Sequence, residues 1–263
     1  MSDIAVVLSS CDEYSDCWPH TMHFLRKSGL LEHFPSWLIT DSYGGQPVEP
    51  FQVLASGPKG ASMPSWSDIR MRALAQIPAK YVLLLFEDWL VTNRPDVAAL
   101  QAAATALERS PELSAVYLAP HGPQGASTPD PELGIRRYGR FPRYAASLQA
   151  ALWNKAHLLS LMRSGESVWQ CELFASVRAI RMGLRQAIIS TEHFPDGSLD
   201  YVPTAIVKGK WLTEAVDDAE RRGYQIETSG RGIYLPPHPL VRRTRLVRHL
   251  LNNPGMALRS LYD

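Results

Sequence analysis

Two adjacent carboxylates, Glu87 and Asp88, interrupt the apolar run YVLLLFEDWLV at residues 81–91. Neighbours on a strand point to opposite faces, so a buried strand has no room for two successive acids unless it ends there, with both at its mouth. In that position they suit a hard divalent cation, or the charge of a diphosphate leaving group. The plainer alternative is a strand terminus whose acids cap the next turn. Lys208-Gly209-Lys210 sets two cations around a glycine, between a strand and a helix, where backbone can approach phosphate oxygens closely. An ordinary exposed basic turn has the same composition. Glu172 stands in VWQCELF among Trp169, Cys171, Leu173 and Phe174, an apolar setting that suits a general base, against a helix glutamate facing solvent. His193 in STEHF is a candidate metal ligand or acid–base group, with His20 and His23 behind it; a lone histidine is more often simply packed. Asp12, after the first strand, can accept from a nucleobase or ribose hydroxyl, or cap the first helix. Asp41 ends the second strand. Arg70, with Arg72 near it, reaches toward a nucleotide phosphate or lies on a solvated face.

These residues need elements to position them, and the pattern supplies an alternation. IAVVLSSCDEY reads as a buried parallel strand ending in a loop. WPHTMHFLRKSGLLEHF is helical in pattern, with Trp18, Met22 and Leu25 on one side and Gly29 near its end. SWLITDSYG and FQVLASG are the second and third strands, the latter closed by Gly57-Pro58. PSWSDIRMRALAQIP predicts a helix capped by Ser65 or Ser67, with Ile69, Ala73, Leu74 and Ile77 facing the core, and the acidic strand follows Pro78. RPDVAALQAAATALERSPEL predicts a surface helix and SAVYLAP a further strand. The segment from His121 to Arg143 is rich in Pro, Gly and Arg with little periodicity, and reads as a long functional or mobile loop. YAASLQAALWNKAHLLSLMRSG and ESVWQCELFASVRAIRMG run into helices, QAIISTEHF is a late strand, and LDYVPTAIVKGKWLTEAVDDAERRGYQI gives a strand, the basic turn and an amphipathic helix.

Strands alternating with helices imply a mostly parallel sheet, in which ligands gather outside the carboxyl ends of the strands. Asp12, Asp41 and the Glu87-Asp88 pair all fall at such ends. The fold class expected is therefore α/β, a Rossmann-like, mostly parallel central sheet flanked by helices. No composition shift marks a boundary, so residues 1–235 read as one domain and 236–263 as a helical extension. That tail carries Arg242, Arg243, Arg245 and Arg248 beside Leu240, Leu246, Leu250 and Leu251. It suits an anionic membrane surface, or docking on its own domain or on a second copy.

The 263 residues carry 27 Lys and Arg against 26 Asp and Glu, so no global field draws nucleic acid to the chain. Three cysteines without metal-type spacing suit a reducing cytoplasm. The chain opens on a strand pattern rather than a signal-like segment, and no apolar run approaches the roughly 20 residues that span a bilayer. There is no G-x-G-x-x-G after the first strand, no Walker loop and no G-x-S-x-G elbow, which counts against a Rossmann dehydrogenase, a P-loop NTPase and an α/β-hydrolase.

In their order, SSCDEYSDCW, PSWSDIRMRALAQIPAKYVLLLFEDW, YAASLQAALWNKAHLL, VWQCELFAS and YVPTAIVKGKW resemble a family of bacterial glycosyltransferase-like proteins of surface-polysaccharide synthesis, of the GT-A type. The resemblance spans roughly residues 4 to 212. It implies transfer of a sugar from a nucleotide-diphosphate donor to a hydroxyl of a glycan or lipid-linked acceptor. It also implies that Glu87 and Asp88 hold Mg²⁺ or Mn²⁺ and the diphosphate, that Asp12 and Asp41 contact the nucleoside, and that Glu172 deprotonates the acceptor with inversion. The usual motif is Asp-x-Asp, and here Phe86 stands two residues before Asp88. Metal-independent operation, with Lys208, Lys210 and an arginine carrying the diphosphate charge, is the alternative. A nucleotidyltransferase acting on a sugar phosphate, or a silent binding or scaffold protein, are the other functions this sequence admits. Such an enzyme works in the cytoplasm, or peripherally on the inner face of the membrane.

Overall fold

The computed structural model describes residues 3–42, 44–45, 47–55 and 64–235. The extension expected from 236 onward and the Gly57-Pro58 breaker lie outside the described residues. The chain divides into two compact units, Met1–Pro203 and Thr204–Asp263.

In the first unit the elements run β1 (Ile4–Ser9), a 3-10 segment (Asp12–Cys17), α1 (Trp18–Ser28), α2 (Leu30–His33), β2 (Ser36–Thr40), β3 (Gln52–Ala55), α3 (Trp66–Gln76), β4 (Tyr81–Phe86) and β5 (Leu90–Val91). They continue with α4 (Val97–Arg109), β6 (Leu113–Tyr117), β7 (Ser127–Asp130), β8 (Ile135–Tyr138), β9 (Ala151–Asn154), α5 (Lys155–Leu161), α6 (Val168–Arg181), β10 (Arg185–Ile189) and β11 (Tyr201–Val202). The local signals act as the chemistry of the residues requires. Gly29 ends α1 in the left-handed region (φ 75°), which a glycine enters without Cβ penalty. Ser65 caps α3 in a capping box with Asp68, and Ser167 caps α6 with Gln170.

Nine strands form one sheet in the order β3-β2-β1-β4-β9-β6-β10-β8-β7. All but β8 and β9 run in the same direction, and this is the mostly parallel sheet, flanked by helices, that the alternation implied. Successive residues of β1 serve opposite faces. Ile4, Val6 and Leu8 pack with Trp18 and Leu25 of α1 and Leu100 and Leu107 of α4. Ala5 and Val7 pack with Ile69 and Leu74 of α3, Leu158 and Leu161 of α5, and Cys171 and Ala175 of α6. The helices thus cover both sheet faces, and α4, expected as a surface helix, buries its Ala99, Leu100, Ala103, Ala106 and Leu107 stripe in the core.

One expectation is corrected. The segment from His121 to Arg143 is not a structureless loop, because β7 and β8 lie inside it as an antiparallel hairpin that extends the sheet through β10. Its Arg, Thr and Pro content suits an edge, where half the backbone groups need no sheet partner. The sheet also holds a central strand of opposite sense: β9 pairs antiparallel with both β4 and β6.

A buried ion pair braces the α3–α6 face. Arg178 and Glu166 meet through two nitrogens and two oxygens at 2.8 and 2.9 Å, with the Arg178 Nε donating to the Leu161 carbonyl at 2.8 Å. The Glu166 N–H donates to Ser67 Oγ at 3.0 Å, and the Ser67 N–H returns to the Glu166 carbonyl at 3.1 Å. In a low-dielectric interior such a pair is tolerable only when its remaining polar atoms are also bonded, as they are here.

In the second unit, β12 (Ile206–Val207) and β13 (Lys210–Trp211) form a hairpin, followed by α7 (Thr213–Arg221). Lys208 and Gly209 take φ of 52° and 75°, the two positive angles that a two-residue hairpin of this twist demands. Among the described residues no helix is long and apolar enough to cross a membrane.

Candidate active site

The chain leaves β1 outward through β2 and β3 and then returns to lay β4 on the other side of β1. A parallel sheet opens a crevice at the carboxyl ends of strands where the winding reverses, and here that point is β1/β4. Ser9 is paired with Phe86, so the two strands end level. Ser10-Cys11-Asp12 therefore lies beside Glu87-Asp88, and Thr40-Asp41 beside the other flank of β1, where Ser9 pairs Ile39. Four of the acidic residues singled out in the sequence, Asp12, Asp41, Glu87 and Asp88, are brought to one rim.

Their roles at that rim differ. Asp12 is turned into the protein: its Oδ1 accepts from Thr40 Oγ1 at 2.7 Å, and its Oδ2 from Ser42 Oγ at 2.8 Å and from the Ser42 N–H at 3.1 Å. It fixes the turn after β2. Asp41, half-buried, accepts the Asp12 N–H through Oδ2 at 3.3 Å, tying the two strand ends together.

Glu87 is the most perturbed group at the rim. Its Oε2 is shielded from solvent and makes no hydrogen bond among the described residues. Burial, then the adjacent Asp88 charge, push its carboxyl up to about 8, while Arg70 and the Ser10 hydroxyl pull the other way. At neutral pH Glu87 is thus mostly a neutral acid. The Cys11 thiol is likewise pushed up, to about 11, by burial and by Glu87 and Asp41, which keeps it protonated and unreactive.

Arg70 lies beneath this rim rather than on a solvated face, only 3% exposed. Its Nε donates to Ser9 Oγ at 3.0 Å, its Nη2 to the Ser10 carbonyl, and its guanidinium lies 5.1 Å from the centre of the Trp66 ring. Burial lowers it to about 10 against the pull of Asp41, Glu87 and Cys11, so it remains a cation at neutral pH and offsets the acids above it. Arg72, two residues on, is exposed.

An aromatic row that the sequence did not disclose runs along the same strand ends. Trp66 stacks on Phe86 (6.4 Å), Phe86 meets Trp89 (5.1 Å), Trp89 stacks on Tyr201 (4.9 Å), and His121 meets Tyr201 edge-on (5.7 Å). Tyr201 donates to Gln149 Oε1 at 2.6 Å and accepts the Ala150 N–H at 3.3 Å. It reaches this place because β11 pairs with β5, just after the acids. Only Trp66, at the first helical position after the Ser65 cap, left a trace in the pattern.

Glu172 stands in the second turn of α6, half-buried. Its Oε1 accepts from Ser147 Oγ at 2.9 Å and from the Leu148 N–H at 3.0 Å; its Oε2 makes no hydrogen bond among the described residues. Tyr117 donates its hydroxyl to the Ser147 carbonyl at 2.7 Å. Its phenol is pushed up by burial and then by the charges of Glu172, Tyr138 and Tyr201, and Tyr201 in turn feels Asp88.

His193 is exposed in the turn after β10, with Nδ1 3.4 Å from Ser190 Oγ. No three His, Cys, Asp or Glu side chains among the described residues form a metal-holding group, so His193 does not join Glu87 and Asp88 in one. His20 is buried in α1, and His23 packs edge-on against Phe24 at 5.4 Å. Lys208 and Lys210 are exposed on the hairpin of the second unit, Lys208 over the Tyr234 ring at 5.8 Å.

No protein-family model and no curated protein matches the chain. Among solved structures it is similar to S. aureus TarS, at 14% identity over 78% of this chain and a TM-score of 0.49. It spans 37% of that TarS chain. It is also similar to glucosyl-3-phosphoglycerate synthase from Mycobacterium tuberculosis in complex with Mn²⁺ and UDP-glucose, at 15% identity, 76% and 71% coverage of the two chains and a TM-score of 0.44. A third is CMP:2-keto-3-deoxy-manno-octonic acid synthetase complexed with CTP, at 12% identity, 72% and 90% coverage and a TM-score of 0.44.

Proposed function

We propose that this chain is a glycosyltransferase that moves a sugar from a nucleotide-diphosphate donor to a hydroxyl of a glycan or lipid-linked acceptor, with inversion. The observation that carries the reading is the position of the acid pair. Glu87 and Asp88 directly follow β4 at the winding reversal of the sheet, level with Ser10–Asp12, with a buried cation beneath them. Asp41 faces the nucleoside, held by Asp12. Glu172, oriented by Ser147 and Leu148 through Oε1, takes the acceptor proton on Oε2 as the acceptor oxygen bonds to the anomeric carbon. The bond from that carbon to the diphosphate breaks as it forms, and the leaving group departs with the electron pair.

A divalent ion fits the pair only in the manner of Mg²⁺, which uses one or two carboxylates and completes its shell with water and substrate phosphates. Asp88 and the shielded, unbonded Glu87 Oε2 would hold it, and it would supply neutralisation of the diphosphate charge. Arg70, locked to Ser9 and Ser10, acts through the rim rather than on the donor.

Calorimetric titration with UDP and GDP, with and without Mn²⁺, tests the class; an absence of nucleotide binding under every condition removes it. Across a panel of UDP- and GDP-sugars, Glu172→Gln is expected to lower turnover by roughly 10²- to 10⁴-fold while nucleotide affinity holds. Turnover near that of the parent would remove the base assignment and leave the class standing.

A further inference from the structure

Beside Glu172 the protein presents a surface that the donor crevice does not require. Trp169 is 71% exposed, one helical turn before Glu172, and Leu173, four residues after it on the same side of α6, is 40% exposed. The segment after β8 exposes Phe141 at 67% and Tyr144 at 47%. This segment is fastened to α6 three times: Ser147 and Leu148 donate to Glu172, and the Ala146 N–H donates to Ser176 Oγ at 3.0 Å. Tyr144 has φ 55°, a left-handed conformation that a bulky side chain keeps only where its surroundings impose it. Trp169 is thus held outward on the helix of the candidate base, and Phe141 and Tyr144 outward on the segment whose residues 146–148 are bonded to that helix.

Beside Glu172, the segment after β8 carries cations only. Arg140 and Arg143 are exposed and lie over the rings of the residues that follow them, at 5.3 Å from Phe141 and 6.0 Å from Tyr144. Neither forms an ion pair among the described residues. No acid occurs in the sequence between Glu132 and Glu166; within that interval Arg136 and Arg137 are paired with Glu192, Glu112 and Asp130, which leaves Arg140 and Arg143 as the exposed arginines of this segment without an ion pair among the described residues. Exposed rings accept the C–H faces of pyranoses, and unpaired guanidinium groups take phosphate or carboxylate in two-point hydrogen bonds.

The geometry points to an acceptor platform: Arg140, Phe141, Arg143, Tyr144, Trp169 and Leu173 bind a glycan chain that carries negative groups and offer its hydroxyl to Glu172. This rests on the reading of Glu172 as the base. The rings stack on the sugars, and the two arginines select chains bearing phosphate or carboxylate over neutral ones.

The test uses the full chain, dextran oligosaccharide bearing phosphate monoesters, the same dextran unsubstituted, and vesicles of phosphatidylglycerol or of phosphatidylcholine. Binding is followed by tryptophan fluorescence and by sedimentation. The phosphorylated dextran is expected to bind saturably and in a salt-sensitive manner, and the plain dextran at least about tenfold more weakly. Arg140→Gln with Arg143→Gln, and separately Trp169→Ala, are each expected to weaken it by about tenfold or more, with UDP affinity unchanged; these exposed positions leave the core intact. Equal affinity for both dextrans, or variants that bind like the parent, would overturn the platform. So would arginine- and tryptophan-dependent binding to phosphatidylglycerol vesicles without dextran binding, which would make the face a lipid contact. Arginine-dependent glycan binding by a chain that takes no nucleotide would sink the transferase reading and keep the platform as a glycan-binding face.

Discussion

Glu87 makes the stability of the protein depend on pH in a direction opposite to that of a salt-bridged carboxylate. Its carboxyl rises from an ordinary 4.5 to about 8, first through burial and then through Asp88. Between those values the folded chain holds a proton that the unfolded chain has lost. The stabilisation is therefore fully present below pH 4.5, declines as pH rises toward 8, and levels off above it. A difference of 3.5, at about 1.4 kcal/mol per pKa unit, corresponds to a span of about 5 kcal/mol. Glu87→Gln removes this titration while keeping the side chain's shape. Urea denaturation of both proteins at half-unit steps from pH 4.5 to 9 isolates the group together with its coupling to Asp88, Cys11 and Arg70, because the remaining titrations are common to the two curves. The parent is expected to lose stability relative to the variant by several kcal/mol across that window. Asp88→Asn, which removes the second cause, is expected to flatten the parent's decline in part. Parallel curves for parent and Glu87→Gln would refute the reasoning, since they would mean that Glu87 is as solvated when folded as when unfolded.

Two further outcomes concern stability and the support of the site. Glu166→Gln alone is expected to cost about 3–5 kcal/mol in urea denaturation by stranding Arg178, and replacing both by Met and Leu to recover most of it; a single-variant cost below about 1 kcal/mol would contradict the brace. A Cβ at Gly122 would run into the ring of the fully buried Tyr117, so Gly122→Ala is expected to cost about 1–3 kcal/mol in thermal melts and, by disturbing the Tyr117–Ser147 bond, to lower turnover as well.

The elements that build the rim were readable because each carries its own local signal. Strand ends at Asp12, Asp41 and Glu87-Asp88 followed from apolar runs meeting acids, and α3 from its serine cap. What escaped reading depends on partners far away along the chain. Periodicity is the same for a strand of either sense, so nothing in AALWN says that β9 runs against its neighbours. The β7–β8 hairpin is half-exposed at an edge and has little apolar alternation to read. Arg70 looked like a polar helix position because a buried cation is recognised only by the acids above it. Tyr201 joins the aromatic row through a two-residue strand too short to announce itself.

The antiparallel β9 also dictates when the sheet can exist. It separates β3-β2-β1-β4 from β6-β10-β8-β7, and β4 and β6 have no pairing with each other in its absence. A nascent chain that has not yet produced residues 151–154 therefore carries the apolar edge of Tyr81–Phe86 open to any strand that passes. Closure of the middle of the molecule waits on a four-residue segment made long after its neighbours, and the acids on β4 are left beside a half-formed wall until it docks.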